Sequence, residues 1–320
     1  MKRFLLPLFA LVASVNSAMA VDDNTVEVAF NGSSATVSVA SNISSYITNQ
    51  SSGSHVRLVQ SESFSGNSIG EITYVLSGTS TDGEFYLEGS YKCTVEMQGL
   101  TLTNPSGPAV NIQNGKRIKV SAKSGTTNTL TDGANEDYNG CLHCKGHTEF
   151  KGKGTLNIVG NSRHGIYSKE YIELKNLTIN ITSAVKDGIH CKEYFLMESG
   201  AVSISGVQDD GIQVELSGTT STGQTSGHED EDSGNFYMED GTLKIDVIDG
   251  AGDHVKADGT ITYGGGTHTF TTTSGIAAVL GASSTEAEVF DLAGRRVEAQ
   301  GAKGLLIVRR GGNTVKVMSR

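Results

Sequence analysis

Apolar and polar residues alternate in short runs that recur along the middle of the chain. The clearest are Val110-Asn111-Ile112-Gln113, Leu142-His143-Cys144-Lys145, Ile166-Tyr167-Ser168-Lys169, Ile189-His190-Cys191-Lys192, Ile212-Gln213-Val214-Glu215 and Val255-Lys256-Ala257-Asp258. Alternation of this kind predicts a half-buried strand, because successive side chains on a strand face opposite ways. Three of these runs start 23 residues apart, and Asp-Gly-Ile opens two of them, at Asp187-Gly188-Ile189 and Asp210-Gly211-Ile212. A period in the twenties built from β-type segments predicts a solenoid with one coil per repeat, each coil too small to bury its own apolar side.

The alternation also assigns the faces. Val110, Leu142, Ile166, Ile189, Ile212 and Val255 form one internal ladder, and Ile112, Cys144, Ser168, Cys191, Val214 and Ala257 another. Asn111, His143, Tyr167, His190, Gln213 and Lys256 then form an outward column with the roughly 4.8 Å spacing of hydrogen-bonded strands. A second strand per coil aligns "LKNLTINI" (174 to 181), "MESGAVSI" (197 to 204) and "MEDGTLKI" (238 to 245). "TLTDGANEDYNG" (129 to 140) and "LSGTTSTGQTSGHEDEDSGN" (216 to 235) exceed the period and predict acidic excursions from the stack. The glycine of Asp-Gly-Ile is expected to give a corner positive φ and close backbone approach. The isoleucine belongs to the ladder, and the acid has no complete explanation at this level.

Composition fits this picture: Gly is 40 of 320 residues, Pro 3 and Trp 0, in a chain rich in Thr, Ser, Val and Ile. At the N-terminus, Lys2 and Arg3, an apolar run and Ala18-Met19-Ala20 predict a secretory signal peptide over 1–20. No later stretch approaches the about 18 apolar residues that span a membrane. Loss of Lys2 and Arg3 takes the formal charge from -10 to about -12. An acidic exported chain argues against nucleic acid and anionic membranes as partners. Its 4 cysteines are too few for a disulfide framework. Cys144 and Cys191 fall two coils apart, roughly 10 Å, too far to bridge, and are expected in the core. "CLHCKGH" is a single Cys-x-x-Cys with no second pair, and "HEDED" (228 to 232) reads as a solvated acidic loop, with a loosely bound cation as the alternative.

Together "YVLSGTSTDGEFYLEG" (74 to 89), "GLTLTNPSGPAVNI" (99 to 112), "SGTTNTLTDG" (124 to 133), "FKGKGTLNIVGN" (150 to 161) and the Asp-Gly-Ile coils resemble a bacterial carbohydrate-binding β-helix family typified by a clostridial protein that binds cellulose and polygalacturonate. The resemblance covers roughly residues 70 to 270. It implies an all-β, right-handed parallel β-helix, pectate-lyase-like calcium sites held by acidic corners, and recognition of plant-type or acidic polysaccharide. The family's Asp-Asp-Gly-Ile corner is whole at Asp209-Asp210-Gly211-Ile212, keeps one acid at Lys186-Asp187 and at Gly252-Asp253, and keeps none at Arg163-His164. Residues 288–320, with Asp291, Leu292, Gly294 and Arg295, resemble the sorting domain of type IX secretion, whose machinery is then a partner. The expected organisation is a signal peptide (1–20), an N-terminal capping β segment (21–70), the β-helix (71–270), a linker (271–287) and a small β-rich tail (288–320), on a secreted or cell-surface protein.

The expected cofactor is calcium, a hard cation that takes six to eight oxygens, with Asp187, Asp209, Asp210 and Asp253 as ligands. The competing account is that these acids only close turns. His143, Tyr167, His190, Gln213 and Lys256 are the expected sugar-binding residues, against a bland reading as solvated surface. With no Trp, stacking on neutral sugars falls to Tyr or Phe, which favours an anionic polymer bridged by calcium. The expected function is non-catalytic binding of polysaccharide. A lyase using Lys186 or Lys192 near calcium is the rival, and a structural or adhesive surface protein without a sugar ligand is the third class.

Overall fold

The computed structural model describes residues 21–65, 69–133, 135, 137–218, 231–273, 288–292, 294–298, 304–310 and 313–319. The expected signal peptide and most of the expected linker and of the long acidic loop lie outside the described residues. The chain is a parallel β-solenoid of about eight turns with almost no helix.

Each central coil contributes three short strands to three faces. One face stacks Glu84–Gly89, Val110–Asn114, Gly140–Cys144, His164–Ser168, Ile189–Lys192, Ile212–Glu215 and Val255–Ala257 in parallel. A second face runs from Ile118–Ala122 through Thr148–Gly152, Ile172–Lys175, Tyr194–Met197 and Asn235–Met238 to Ile261–Tyr263. The third runs from Thr127–Asp132 through Thr155–Val159, Thr178–Ser183, Ala201–Val207 and Thr242–Ile248 to Thr267–Thr273. The second and third faces join at the long strand Cys93–Asn104, which belongs to both.

The register is the one the alternation predicts. Val110, Leu142, Ile166, Ile189, Ile212 and Val255 pair in sequence, and so do Asn111, His143, Tyr167, His190, Gln213 and Lys256. Leu174 pairs with Met197 and Met197 with Met238, so the second-strand alignment holds. Val110, Leu142, Ile166, Ile189 and Ile212 are at most 1% exposed, each worth roughly 1.5 to 3 kcal/mol of burial. Ser168, the polar member of the inner ladder, is satisfied by Thr148 Oγ1 at 3.0 Å and donates to the Gly146 carbonyl at 3.1 Å. Cys93, Cys141, Cys144 and Cys191 are buried free thiols.

Two expectations change. The stack begins earlier than residue 71, since His55–Gln60 pairs in parallel with Glu84–Gly89 and Thr25–Asn31 with Ile72–Ser80. The first excursion is also shorter than the sequence suggested, because Thr127–Asp132 is a full strand of the third face. Within the acidic loop, Glu231 accepts hydrogen bonds from Tyr237 and Asn235, and Asp232 from the Ser217 N–H, which tie its end back to the stack. Glu288–Phe290, Arg296–Val297, Gly304–Arg310 and Asn313–Ser319 form a separate antiparallel sheet. Among the described residues no helix is long and apolar enough to cross a membrane.

Candidate functional site

The Asp-Gly-Ile corners carry the chain from the third face into the first. Their glycines are not there for positive φ: neither Gly188 nor Gly211 has it. A Cβ on Gly211 would sit 2.4 Å from Ile245 Cγ2 and 2.5 Å from the His254 carbonyl, and one on Gly188 2.6 Å from Ile204 Cγ2. Close approach to the inner ladder and to the next coil therefore excludes a side chain.

The acids bind the coils together. Asp187 Oδ1 accepts the Asp210 N–H at 3.1 Å, and Asp210 Oδ1 accepts the Asp253 N–H at 2.7 Å. The second oxygen of each carboxylate is held by a cationic or aromatic nitrogen. Asp187 Oδ2 lies 2.9 Å from His190 Nδ1 and 3.1 Å from His164 Nδ1, and Asp210 Oδ2 accepts from Lys256 Nζ at 3.0 Å. Asp187 is 1% exposed and Asp210 2%. Burial alone pushes Asp187 upward, but its contacts with His164 and His190 outweigh it and hold the carboxyl below its ordinary range. Asp209 moves the other way, raised by burial and then by the charges of Asp187 and Asp210.

These corners border an open cleft of about 290 Å³, lined among others by Arg163, His164, Tyr167, Lys186, Asp187, His190, Lys192, Asp209, Gln213 and Glu215. Rings on successive coils form its wall: His143 stacks on Tyr167 with centroids 5.1 Å apart, and Tyr167 on His190 at 5.4 Å. Packed this way, Tyr167 is only 8% exposed and His190 6%. Tyr167 and His190 are thus recessed rather than freely solvated, while Lys256 at the end of the column is exposed. Burial, with the neighbouring His164, takes His143 down to about 4, so the ring is neutral at neutral pH.

Three of the five expected sugar-binding residues, Tyr167, His190 and Gln213, line the cleft; His143 backs Tyr167, and Lys256 is committed to Asp210. Of the four expected metal ligands, Asp187, Asp209 and Asp210 bring carboxylate oxygens within 4.8 Å of one another. Asp253 joins them through its backbone N–H. Three carboxylates fit the start of a calcium shell and leave the remaining oxygens to backbone, water or ligand. Lys256 already offsets part of that charge, and the two histidines occupy one oxygen of Asp187. The sequence reading missed His164 as a site residue. Its signal was the departure at Arg163-His164, where an imidazole stands at the position of the corner acid, one coil before Asp187.

Comparison with known proteins supplies the family. The family described as "Carbohydrate-binding domain-containing protein" matches residues 67–317. A curated relative of that description from Acetivibrio thermocellus is 24% identical over 103 residues, covering 29% of this chain and 36% of its own length. The chain thus spans about a third of that relative. The solved structure of a polysaccharide lyase-like protein from C. thermocellum, a gadolinium derivative, superposes with a TM-score of 0.55 at 18% identity, covering 78% of this chain and 98% of that one. At that identity the likeness shows a shared fold.

Proposed function

The chain belongs to the family of carbohydrate-binding domain-containing proteins, and on that premise we propose that it binds an acidic polysaccharide along the first face, in the cleft between Tyr167 and Gln213. The observation that carries this reading is the ring-walled cleft itself, in which Tyr167 and His190 stack on successive coils beside Lys186 and Lys192. A polymer whose units follow the coil spacing meets a repeated set of hydrogen-bonding side chains, with the edges of the stacked rings at its wall. The chain as a whole carries -10, and at the cleft Arg163, Lys186 and Lys192 face Asp187, Asp209 and Glu215, so an anionic sugar needs a further positive charge there.

Calcium is part of the proposal. Asp187, Asp209 and Asp210 would hold it, and when bound it supplies the charge to which a uronate carboxylate attaches. The raised Asp209 carboxyl supports this, since it is the member of the trio whose charge the protein leaves least compensated. Export to the cell exterior, with Asp291, Arg295 and the antiparallel sheet beside them serving as a type IX sorting domain, completes the reading. Asp291 accepts from the Arg295 N–H and Nε at 2.9 and 2.7 Å.

A second reading, a lyase, is favoured by one observation. Lys186, Lys192 and His190 share the cleft with the acids, so groups that would accept a proton once deprotonated stand where a uronate would lie. Affinity electrophoresis through gels loaded with polygalacturonate or a neutral glucan, with calcium and then a chelator, tests binding. Ultraviolet absorbance of an unsaturated uronate product tests the lyase. Retardation by the acidic polymer without product supports the binding reading, and retardation by neither polymer refutes it.

A further inference from the structure

We propose that His164, Asp187 and His190 form a binding site for a divalent transition ion of the zinc class, distinct in chemistry from the oxygen-only corner of Asp187, Asp209 and Asp210. It goes beyond the polysaccharide reading and does not rest on it.

The donors converge from two coils. His164 opens one coil, and Asp187 and His190 sit three residues apart on the next, so the strand register places an imidazole directly over the acid. His190 Nδ1 and His164 Nδ1 lie 2.9 and 3.1 Å from the same oxygen, Asp187 Oδ2, and the rings are 4.5 Å apart. All the ligand atoms fall within 4.8 Å of one another. Donors bound tetrahedrally at about 2.0 to 2.1 Å stand roughly 3.3 Å apart, so widening the two nitrogen–oxygen separations by about 0.2 to 0.4 Å seats an ion among them.

An independent observation points to a ligand. His164 is 6% exposed, yet its Nδ1, 3.1 Å from Asp187 Oδ2, makes no hydrogen bond. A buried imidazole nitrogen aimed at a carboxylate without a bonded proton between them is arranged for an electron-pair acceptor.

The surroundings hold the donors in place. Asp187 Oδ1 is fixed by the Asp210 N–H, and Glu215 Oε2 faces the far nitrogen of His190, Nε2, at 3.4 Å. A carboxylate on the distal imidazole nitrogen turns the other lone pair toward a metal and raises its basicity. The cleft opens on the remaining side, which leaves room for water or a sugar oxygen. Two imidazoles and one carboxylate suit zinc, copper, nickel or cobalt, and suit calcium poorly.

The test is isothermal titration of the chelator-treated full chain with zinc chloride and, separately, calcium chloride, with zinc-loaded protein then examined by X-ray absorption. The expected result is one zinc per chain that millimolar calcium does not displace, with two imidazoles in the absorption shell. Affinity should fall at least about 100-fold in His164→Ala and in His190→Ala, and about 10- to 100-fold in Glu215→Gln. Absence of zinc uptake, a shell of oxygens only, displacement by calcium, or wild-type affinity in a folded His164→Ala, His190→Ala double variant would each overturn the proposal. The absorption shell is read on the unaltered chain, so the outcome stands even if a variant fails to fold.

Discussion

Asp187 accepts the backbone N–H of Asp210 on the following coil, at 3.1 Å. The same link recurs from Asp210 to Asp253, and from Asp132 to the Asn161 N–H. An acid at the corner is therefore a clasp between coils, which explains why it returns with the glycine and the isoleucine. Asp187→Ala leaves the Asp210 N–H without its acceptor and should cost about 1 to 3 kcal/mol. Asp187→Asn keeps an acceptor oxygen and should lose less. Urea denaturation of the three proteins checks the order.

Gly211 is excluded from bearing a side chain by contact, while Gly115 has open space and an ordinary φ. Gly211→Ala should cost about 1 to 3 kcal/mol through overpacking against Ile245, and Gly115→Ala should stay within about 0.5 kcal/mol of wild type. Equal melting temperatures for the two would refute the close-approach account.

Burial pushes the thiols of Cys93 and Cys144 up to about 12, and those of Cys141 and Cys191 well upward too. All four should resist thiol reagents in the native protein and react together on unfolding. Ellman's titration with and without denaturant reads this directly. Rapid native labelling of any of the four would contradict their place in the interior.

Burial raises the Asp132 carboxyl from 3.8 to about 6, against the opposing pull of the Asn161 N–H. A carboxyl whose folded value is raised favours folding while it is protonated. Its contribution is full below the unfolded value and is lost as pH rises through about 4 to 6, by on the order of 2 to 3 kcal/mol. Asp132→Asn keeps the acceptor for Asn161 and should flatten stability over that window. Denaturation midpoints at pH 4 and pH 7 for both proteins decide it.

The stacking order and register were legible in the sequence because period-2 alternation fixes which side chain faces inward. Ile189 over Ile212 and His190 over Gln213 follow from it alone. What the sequence did not reveal depends on the third dimension. The recess around Tyr167 comes from rings stacking along the column, the role of Gly188 from its approach to Ile204, and the pairing of His164 with Asp187 from side chains converging across a corner. Asp253 looked like a ligand because its motif matched, but on this coil the backbone is what meets Asp210.

The most direct test of the central claim is affinity electrophoresis of the wild type, Tyr167→Ala, Gln213→Ala and Lys244→Ala through polygalacturonate with calcium present. Lys244, exposed on the third face, is the control. The account predicts retardation of the wild type and Lys244→Ala, and about 10-fold weaker binding for Tyr167→Ala and Gln213→Ala, roughly 1.4 kcal/mol each. Unchanged retardation of both cleft variants would place binding elsewhere on the solenoid and contradict the site.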